Sequence, residues 1–406
     1  MRFLSLTIAM LLFAANIAVA GVVAPSSDSL RTSQKITHYD PIDYNAVRYN
    51  LALASRKNFL QRVAGTLSHP LLNNEKIQLK SQVGIAYTQE VNLAFTAAAT
   101  AQYKSGRDNA LQSNASLSGM VSVNGFFRVQ LSGVNYFGAG KDKLIYDIGG
   151  GSLPVRFWGL GYDAADNNAR TKYIQRDMTS TLRYMHRFAH NFWLGAGVNL
   201  RYGKGEKFDA VGENYLVGGG QSVRSAYTTG VSLNGVYDTR DNTHTATKGF
   251  YFSLLGEVLP KGLGNYDKTL FHIVAQADYF QPLWRGGVMA IDLYGDLWSS
   301  ATPWFYWPSL GGASRMRGYY YGRYTDRKML TAQLELRQTI YGPIGVCAWG
   351  GAGSIFDSHK NFDASKILPN AGVGLRLAIA GQTALRIDYG FGRHSQGLII
   401  NVNEAF

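Results

Sequence analysis

Residues Leu330–Arg337, with the sequence LTAQLELR, alternate strictly between apolar and polar side chains. Leucine and alanine fill one set of alternate positions. The other set is polar and consists of Thr331, Gln333, Glu335 and Arg337. Successive side chains of a β-strand point to opposite faces of the sheet, so this period of two predicts a strand with one apolar and one charged face. The charged face indicates contact with water, and the apolar face then needs a protein core or lipid.

The same alternation recurs along the chain from Glu75 to the end, for example in Phe271–Tyr279 and in Ala384–Phe391, where Arg386 and Asp388 lie on the polar face. About sixteen such runs are centred near residues 83, 97, 117, 131, 153, 180, 197, 232, 254, 274, 292, 334, 350, 373, 387 and 400. A water-filled interior suits charged faces on strand after strand better than a sandwich core does. An open sheet edge cannot be satisfied in lipid. The pattern therefore predicts an all-β fold, a transmembrane antiparallel β-barrel of about 16 strands.

The composition agrees with a barrel. The 406 residues include 46 Gly and 25 Tyr, and only 17% are charged. No apolar run after residue 20 is long enough for a transmembrane helix, and 13% aromatic residues exclude a disordered chain. The net charge of +13 is spread along the chain, so we expect no nucleic-acid partner. The single cysteine, Cys347, excludes intrachain disulfides and a cysteine-based zinc site.

The amino-terminal end predicts export. Arg2, the apolar stretch Phe3–Ile17 and the small residues Ala18–Ala20 form a signal peptide at residues 1–20, which places the mature chain outside the cytoplasm of a bacterium. Residues 21–74 are then a short segment before the barrel domain at 75–406, with one helix expected over Asp43–Thr66. Two alternatives stay open for this segment, a periplasmic tail or a plug at the barrel mouth.

The last strand is expected over Gly397–Phe406. A row of apolar residues shares its outer face and precedes a terminal aromatic residue; these are Leu398, Ile400, Val402 and Phe406. Such a terminal aromatic is a natural anchor at the membrane interface. The four residues are also similar to the carboxyl-terminal signal that the outer-membrane barrel assembly machinery reads on its substrates.

The longest predicted outside loop, Ser299–Lys328, contains the sequence GGASRMRGY at Gly311–Tyr319. A loop of this length and glycine content needs a tie to hold it. Arg317 can supply one because its planar guanidinium can grip a carboxylate through two hydrogen bonds. The expected partner is Glu335, which faces the lumen on the next strand.

The sequence Met316-Arg317-Gly318-Tyr319 resembles the Arg-Gly-aromatic motif of loop six in the BamA/TamA superfamily, the bacterial surface antigen barrels. Further pieces resemble that family in the same order and cover roughly Glu75 to the end. They are DTRDN at Asp238–Asn242 with Lys248-Gly249, AQLE at Ala332–Glu335, GVGLR at Gly372–Arg376 and RIDYG at Arg386–Gly390.

The resemblance implies that loop six folds back into the lumen and that its arginine contacts carboxylates on the twelfth and thirteenth barrel strands. We therefore expect Arg317, Gly318, Tyr319 and Glu335 to form a loop-six lock, meaning the contacts that fix this loop to the barrel wall. The second carboxylate is missing from the family position, which Gly351 occupies. Asp357 lies nearby in sequence.

By resemblance, the expected function is in outer-membrane biogenesis, the insertion or translocation of proteins, and the place is the outer membrane of a Gram-negative bacterium. Residues 21–74 are too few for a POTRA domain, so a member without POTRA domains is expected. Alternatives are a gated or passive pore favouring anions, with Arg201, Arg337, Arg376 and Arg386 in its lumen, or a scaffold that docks a separate periplasmic partner.

We expect no enzymatic activity, no catalytic residues and no cofactor. His186 and His190 flank a predicted strand and turn, which predicts no metal site. The expected partners are outer-membrane lipids, the assembly machinery for the barrel's own insertion, and an unfolded protein substrate or a periplasmic partner.

Overall fold

The computed structural model describes residues 68–73, 77–88, 90–103, 113–243, 245–358, 362–380, 383–402 and 404–406. The predicted signal peptide at 1–20 and the predicted helix at Asp43–Thr66 lie outside these ranges. Among the described residues, no helix is long and apolar enough to cross a membrane.

The strands are β1 Ser68–Asn73, β2 Ile77–Thr88, β3 Asn92–Tyr103, β4 Ser113–Ser122, β5 Phe127–Phe137, β6 Asp142–Phe157, β7 Thr171–Ala189, β8 Phe192–Glu206, β9 Ser225–Asp238, β10 Gly249–Leu259, β11 Leu270–Trp284, β12 Gly287–Trp298, β13 Ser309–Leu310, β14 Tyr324–Thr325, β15 Lys328–Tyr341, β16 Ile344–Phe356, β17 Leu368–Ala380, β18 Thr383–Gly392 and β19 Ser395–Val402. The helices are α1 Tyr162–Asn167 and α2 Ala210–Gly218.

Within the described chain, sixteen of these strands form one closed antiparallel barrel. The barrel strands are β2 to β12 and β15 to β19, each pairing with its neighbour, and β19 returns to β2. Every one of the sixteen predicted centres lies inside one of these strands. The prediction of an all-β, sixteen-stranded barrel is therefore confirmed.

The barrel is apolar outside and polar inside. On β9, Val231 and Leu233 are 56% and 69% exposed, whereas Ser232 and Asn234 between them are 3% and 5% exposed. The strand β15, which contains the LTAQLELR sequence, shows the same pattern, with its leucines about two-fifths exposed and its polar side chains buried. This distribution is the reverse of a water-soluble protein and matches a wall with lipid on one side.

The two ends of the barrel differ in the length of their connections. One end, here named the loop end, has the segments 158–170, 207–224 and 299–327, which contain α1, α2 and the short pair β13–β14. The other end, the turn end, is connected mostly by short turns such as 190–191 and 342–343. The longest of the loop-end segments, 299–327, is loop six.

Loop six and its neighbours pack together over the loop end through aromatic side chains. Trp304 lies in a buried cluster whose other aromatic members are Phe157, Tyr173, Phe305 and Trp307. Trp304 also donates its indole hydrogen to the Val223 carbonyl at 2.9 Å. Burial of this much aromatic surface holds the loops in a fixed arrangement over the barrel.

The last strand ends earlier than expected. β19 stops at Val402, and Glu404–Phe406 turn into the lumen. There the Phe406 ring lies 6.5 Å from the Phe280 ring, in a cluster with Ala246 and Ala290. The Phe406 ring therefore faces the lumen, on the side where Glu404 pairs with Arg376, and its part in a carboxyl-terminal assembly signal stays a prediction.

Candidate functional site in the barrel lumen

Loop six reaches into the lumen and contacts the inner face of the strands near the carboxyl end of the barrel. Its backbone is held at three successive points by lumen-facing side chains. Arg386 donates to the Ala313 carbonyl at 2.7 Å, and the Met316 amide donates to Gln333 at 3.0 Å. Asn370 donates to the Arg317 carbonyl at 3.2 Å. These bonds place the Arg317 side chain against the wall formed by β15 to β18.

Arg317 is fully buried and bridges two carboxylates. One guanidinium nitrogen donates to Asp388 on β18 at 2.8 Å, and the other donates to Glu335 on β15. Both carboxylates are also fully buried. The Trp349 ring of β16, which lies between those strands, stacks under the guanidinium at 3.7 Å. Three strands are thereby tied to one loop side chain.

Two further arginines complete this buried charge network. Arg337 donates to Glu335 at 2.7 Å, and Arg376 pairs with Asp388. Arg376 also donates to Glu404 of the inward-turned carboxyl end at 2.7 Å. A buried charge is tolerated when it is paired and hydrogen-bonded. Because Arg376 contacts both Asp388 and Glu404, the network couples loop six to the end of the chain.

Gly318 and Tyr319 explain why the motif continues as Gly-Tyr. Gly318 has φ of +106°, and a Cβ at this position would lie 2.5 Å from the Gly390 carbonyl carbon. The backbones of loop six and β18 are therefore in direct contact, which only a glycine permits. Tyr319 donates to the Pro369 carbonyl at 2.6 Å and accepts from the Arg393 amide at 2.8 Å.

The structure brings the four predicted residues Arg317, Gly318, Tyr319 and Glu335 to one site. The second carboxylate is Asp388 on β18, and the family position at Gly351 plays no part in the contact. Asp357 instead pairs with Arg327. The sequence held a signal for Asp388, because the residue lies on the polar face of the alternating run Ala384–Phe391.

A second arginine of the motif ties the loop to another strand. Arg315 donates twice to Asp292 on β12, with its Nε and Nη2 at 3.0 and 2.9 Å from carboxylate oxygens. Its guanidinium lies 4.0 Å from the centre of the Tyr294 ring. The sequence analysis assigned no contact to Arg315, although Arg315 lies two residues before Arg317 in the same motif.

The lumen arginines that were expected to favour anions form hydrogen bonds and ion pairs with other groups of the barrel and loop six. Arg201 donates to Glu257 at 2.8 Å, and Arg337, Arg376 and Arg386 all contact carboxylates or carbonyls of the loop-six site. A positive lining selects anions when its charges face a water-filled passage. These arginines donate hydrogen bonds to groups of the fold, so they argue for a fixed loop rather than for an anion path.

The seam between β2 and β19 is the weakest junction of the barrel. Among the described residues, β19 registers with β2 at one pair, Ile400 with Tyr87. Every other junction between neighbouring barrel strands registers at eight pairs or more. The charge network described above lies beside this seam, since Asp388 is on β18 and Glu404 follows β19.

A sequence model of the Omp85 superfamily domain matches residues 71–400. The chain belongs to the Omp85 superfamily. The resemblance to the BamA/TamA barrels is thereby confirmed. No curated protein is similar enough in sequence to match this Omp85 barrel.

Solved structures share its fold at low sequence identity. BamA from Haemophilus ducreyi lacking POTRA domains 1–3 superimposes with a TM-score of 0.58 and 14% identity, covering 82% of this chain and 70% of that one. CdiB from Escherichia coli gives 0.57 and 14%, with 82% and 63% covered. CdiB from Acinetobacter baumannii gives 0.53 and 11%, with 82% and 60% covered. This Omp85 barrel thus spans less than two thirds of either CdiB chain.

The histidines considered as metal ligands lie in ordinary surroundings. His186 on β7 pairs with Asp142 at 2.7 Å. His190 lies in the turn between β7 and β8. Among the residues that the structure describes, no group of three His, Cys, Asp or Glu side chains is placed to hold a metal ion.

The buried carboxyl group of Asp326 predicts that the docking of loop six depends on pH. Asp326 follows β14 in loop six and is 8% exposed, and burial raises its pKa to about 6. Asp357 faces it as a second negative charge, with Arg327 and Lys328 as the nearby cations. The folded loop therefore holds a proton that the unfolded loop releases near pH 4, so docking weakens as pH rises through about 6, by up to about 3 kcal/mol.

Asp326→Asn should remove this dependence, since the amide keeps the oxygen that accepts from the Arg327 amide at 2.7 Å. We expect proteinase K to cleave loop six of the wild type and the variant at similar rates at pH 4.5, and the wild type faster at pH 8 by up to about a hundredfold. The ratio of the two rates cancels the pH dependence of the protease. A ratio that is constant with pH would show that Asp326 is ionised in the folded loop throughout.

Proposed function

We propose that this Omp85 barrel acts in outer-membrane biogenesis in a Gram-negative bacterium, where it inserts proteins into the outer membrane or translocates them across it. The observation that carries the proposal is the seam, where one pair registers among the described residues, Tyr87 with Ile400. A barrel that stays closed does not need a weak junction, whereas a barrel that pairs with strands of another protein does.

The edge of β2 offers the chemistry that an incoming strand requires. A strand edge exposes backbone amides and carbonyls in a row and can pair with any extended chain. Outward-facing Val83 and Ile85, next to the seam, are 44% and 63% exposed. A client strand paired there would keep its backbone bonds satisfied while its apolar side chains enter the lipid.

The loop-six lock has a proposed role in this mechanism. Arg317 ties β15 and β18 to the loop, and Arg376 extends the tie to Glu404 beyond β19. These contacts hold the side of the seam that belongs to the carboxyl end, so that side stays fixed when the seam opens. The outer-membrane lipids are the proposed partner of the exterior, and an unfolded protein is the proposed substrate.

A steady open pore is the weaker alternative. Loop six crosses the lumen and is bonded there through Arg315, Arg317 and the carbonyl of Ala313. A scaffold that docks a soluble periplasmic partner would differ from both functions by co-purifying with that partner.

The purified barrel in liposomes should accelerate the folding of an unrelated, unfolded eight-stranded outer-membrane barrel. We expect a rate several-fold above that of empty liposomes and of liposomes with an ordinary porin. Absence of acceleration, also with a membrane extract that supplies partners, would contradict the proposal, and a steady anion current in the same liposomes would favour the pore.

A disulfide across the seam makes this test specific. In a Cys347→Ala background, Tyr87→Cys with Ile400→Cys should abolish the acceleration when oxidised and restore it when reduced. The matched control pairs Tyr389→Cys with Leu398→Cys, a registered aromatic–aliphatic pair between β18 and β19, away from the β2 edge. The control should accelerate folding in both redox states.

A further inference from the structure

A short strand outside the barrel also pairs with β2. β1 is six residues long and runs antiparallel to the first part of β2, with Ser68 opposite Gln82 and Asn73 opposite Gln78. It precedes β2 directly in the chain, with three residues between the end of one strand and the start of the other.

β1 and β19 share one edge of β2. The opposite edge is fully used, because β3 registers with every position of β2 from Ile77 to Thr88. On the shared edge, β1 takes Gln78–Gln82 and β19 takes Tyr87. Within the described residues, neither strand registers with the intervening positions 83–86.

β1 occupies the positions that the carboxyl end of the chain would otherwise use. Extending the register of Ile400 with Tyr87 would place Ala405 opposite Gln82 and Phe406 opposite Ser81. These last residues instead turn inward to the charge network and the Phe280 cluster. The edge that they leave would be costly to expose within a bilayer, and β1 covers it.

β1 is a poor strand for permanent closure. Pro70 has no amide hydrogen to donate, and the register shifts between Pro70 and Leu72. Proline and irregular pairing are typical of strands at a sheet edge. Its short connection to β2 supplies a high effective concentration, so weak pairing is enough to keep the edge covered at rest.

We propose that Ser68–Asn73 is a built-in occupant of the β2 edge, which an incoming extended polypeptide must displace at Gln78–Gln82. This inference rests on the proposed function and adds its regulation. The resting barrel keeps its edge covered, and the occupant leaves only when a client strand forms a longer and unbroken ladder. The site thus selects an unfolded chain with alternating apolar residues over a short peptide.

Cross-linking tests the resting position independently of any activity. In the full chain with Cys347→Ala, the pairs Ser68→Cys with Gln82→Cys and His69→Cys with Ser81→Cys cover both kinds of antiparallel partner. At least one pair should form a disulfide in most of the membrane-embedded molecules. The mismatched pair His69→Cys with Tyr87→Cys should form little. Equal, low yields for all three pairs would overturn the proposal.

Displacement is tested with a defined probe, an unfolded eight-stranded outer-membrane barrel with one cysteine in its last strand. Ser81→Cys on β2 should form a disulfide with this probe. Adding Leu71→Pro and Leu72→Pro removes backbone donors of both orientations from β1 and should raise the yield at least threefold. The control with alanine at both positions keeps the donors and should leave the yield unchanged.

These readouts separate the two proposals. A yield that the prolines do not raise, or the absence of any adduct, would overturn the proposed role of β1, even where the wild type accelerates folding in liposomes. A wild type that fails to accelerate folding, together with an adduct that the prolines raise threefold, would remove the insertion function and support β1 as a displaceable occupant.

Discussion

Arg317→Ala is expected to release loop six from the lumen and to make it at least ten times more accessible to proteinase K, with the barrel still folded. The substitution leaves Glu335 and Asp388 buried without their shared partner. Removal of one partner from a buried ion pair costs about 3–5 kcal/mol. Arg337 and Arg376 still pair with the two carboxylates, so we expect a loss at the lower end of this range. The loop has few other charged anchors of this kind, so its docking should fail.

Arg317→Lys tests the geometry of the contact rather than its charge. The ammonium is a single point charge and cannot reach two carboxylates in the way that the guanidinium fork does. We therefore expect an intermediate cleavage rate, between those of the wild type and of Arg317→Ala.

Arg393→Ala is the matched control for the loss of an arginine. Arg393 also pairs with a carboxylate, Asp166, but its side chain is 42% exposed. An exposed pair contributes about 0–1 kcal/mol, so loop six should stay protected. Equal cleavage rates in Arg317→Ala and in the wild type would show that the aromatic cluster around Trp304 holds the loop, and the proposed lock would be wrong.

Gly318→Ala is expected to have the second largest effect, since it separates two backbones that touch. The new Cβ would lie 2.5 Å from the Gly390 carbonyl carbon and 2.6 Å from the Phe391 amide nitrogen. Backbone atoms of a barrel strand cannot move aside as a flexible side chain does. Loop six must shift instead, which moves Arg317 away from its carboxylates.

Gly312→Ala is a control that isolates the contact from the backbone strain. Gly312 lies in the same loop with φ of +102°, close to the +106° of Gly318, but a Cβ there meets only the Tyr321 side chain at 3.7 Å. Both variants carry the same left-handed strain of about 1 kcal/mol. Gly318→Ala should cost about 1–3 kcal/mol more, measured by loop cleavage and by the melting temperature of the folded barrel in detergent. Similar losses in both variants would show that strain alone acts at Gly318.

The strands were predictable because their signal is local. Alternate residues of each strand face lipid and lumen. The alternation in LTAQLELR therefore indicates both a strand and the direction of its side chains, without information from the rest of the chain. Sixteen runs of this kind, without a long apolar segment, leave a lipid-embedded barrel as the fold in which all edges are paired. The pairing of Arg317 with Glu335 was also within reach, since loop six leads directly into the strand that contains Glu335.

Asp388, Arg315 and the inward turn of Glu404–Phe406 were missed for a different reason. Asp388 lies 71 residues from Arg317 and meets it only because the barrel closes and brings β18 beside the loop. The terminal Phe406 satisfies the pattern of an interface anchor, but its neighbour Glu404 finds Arg376 inside the lumen. A period of two cannot show where a strand leaves the wall.

The sequence by itself determined the sixteen-stranded barrel, its apolar exterior and polar lumen, and the loop motif around Arg317, because alternation and turn chemistry depend on near neighbours in the chain. Only the tertiary structure decided which carboxylates Arg317 bridges, that Glu404–Phe406 lie in the lumen, and how β1 and β19 divide the edge of β2. These features depend on barrel closure, which sets distant segments into competition for the same charges and the same backbone edge.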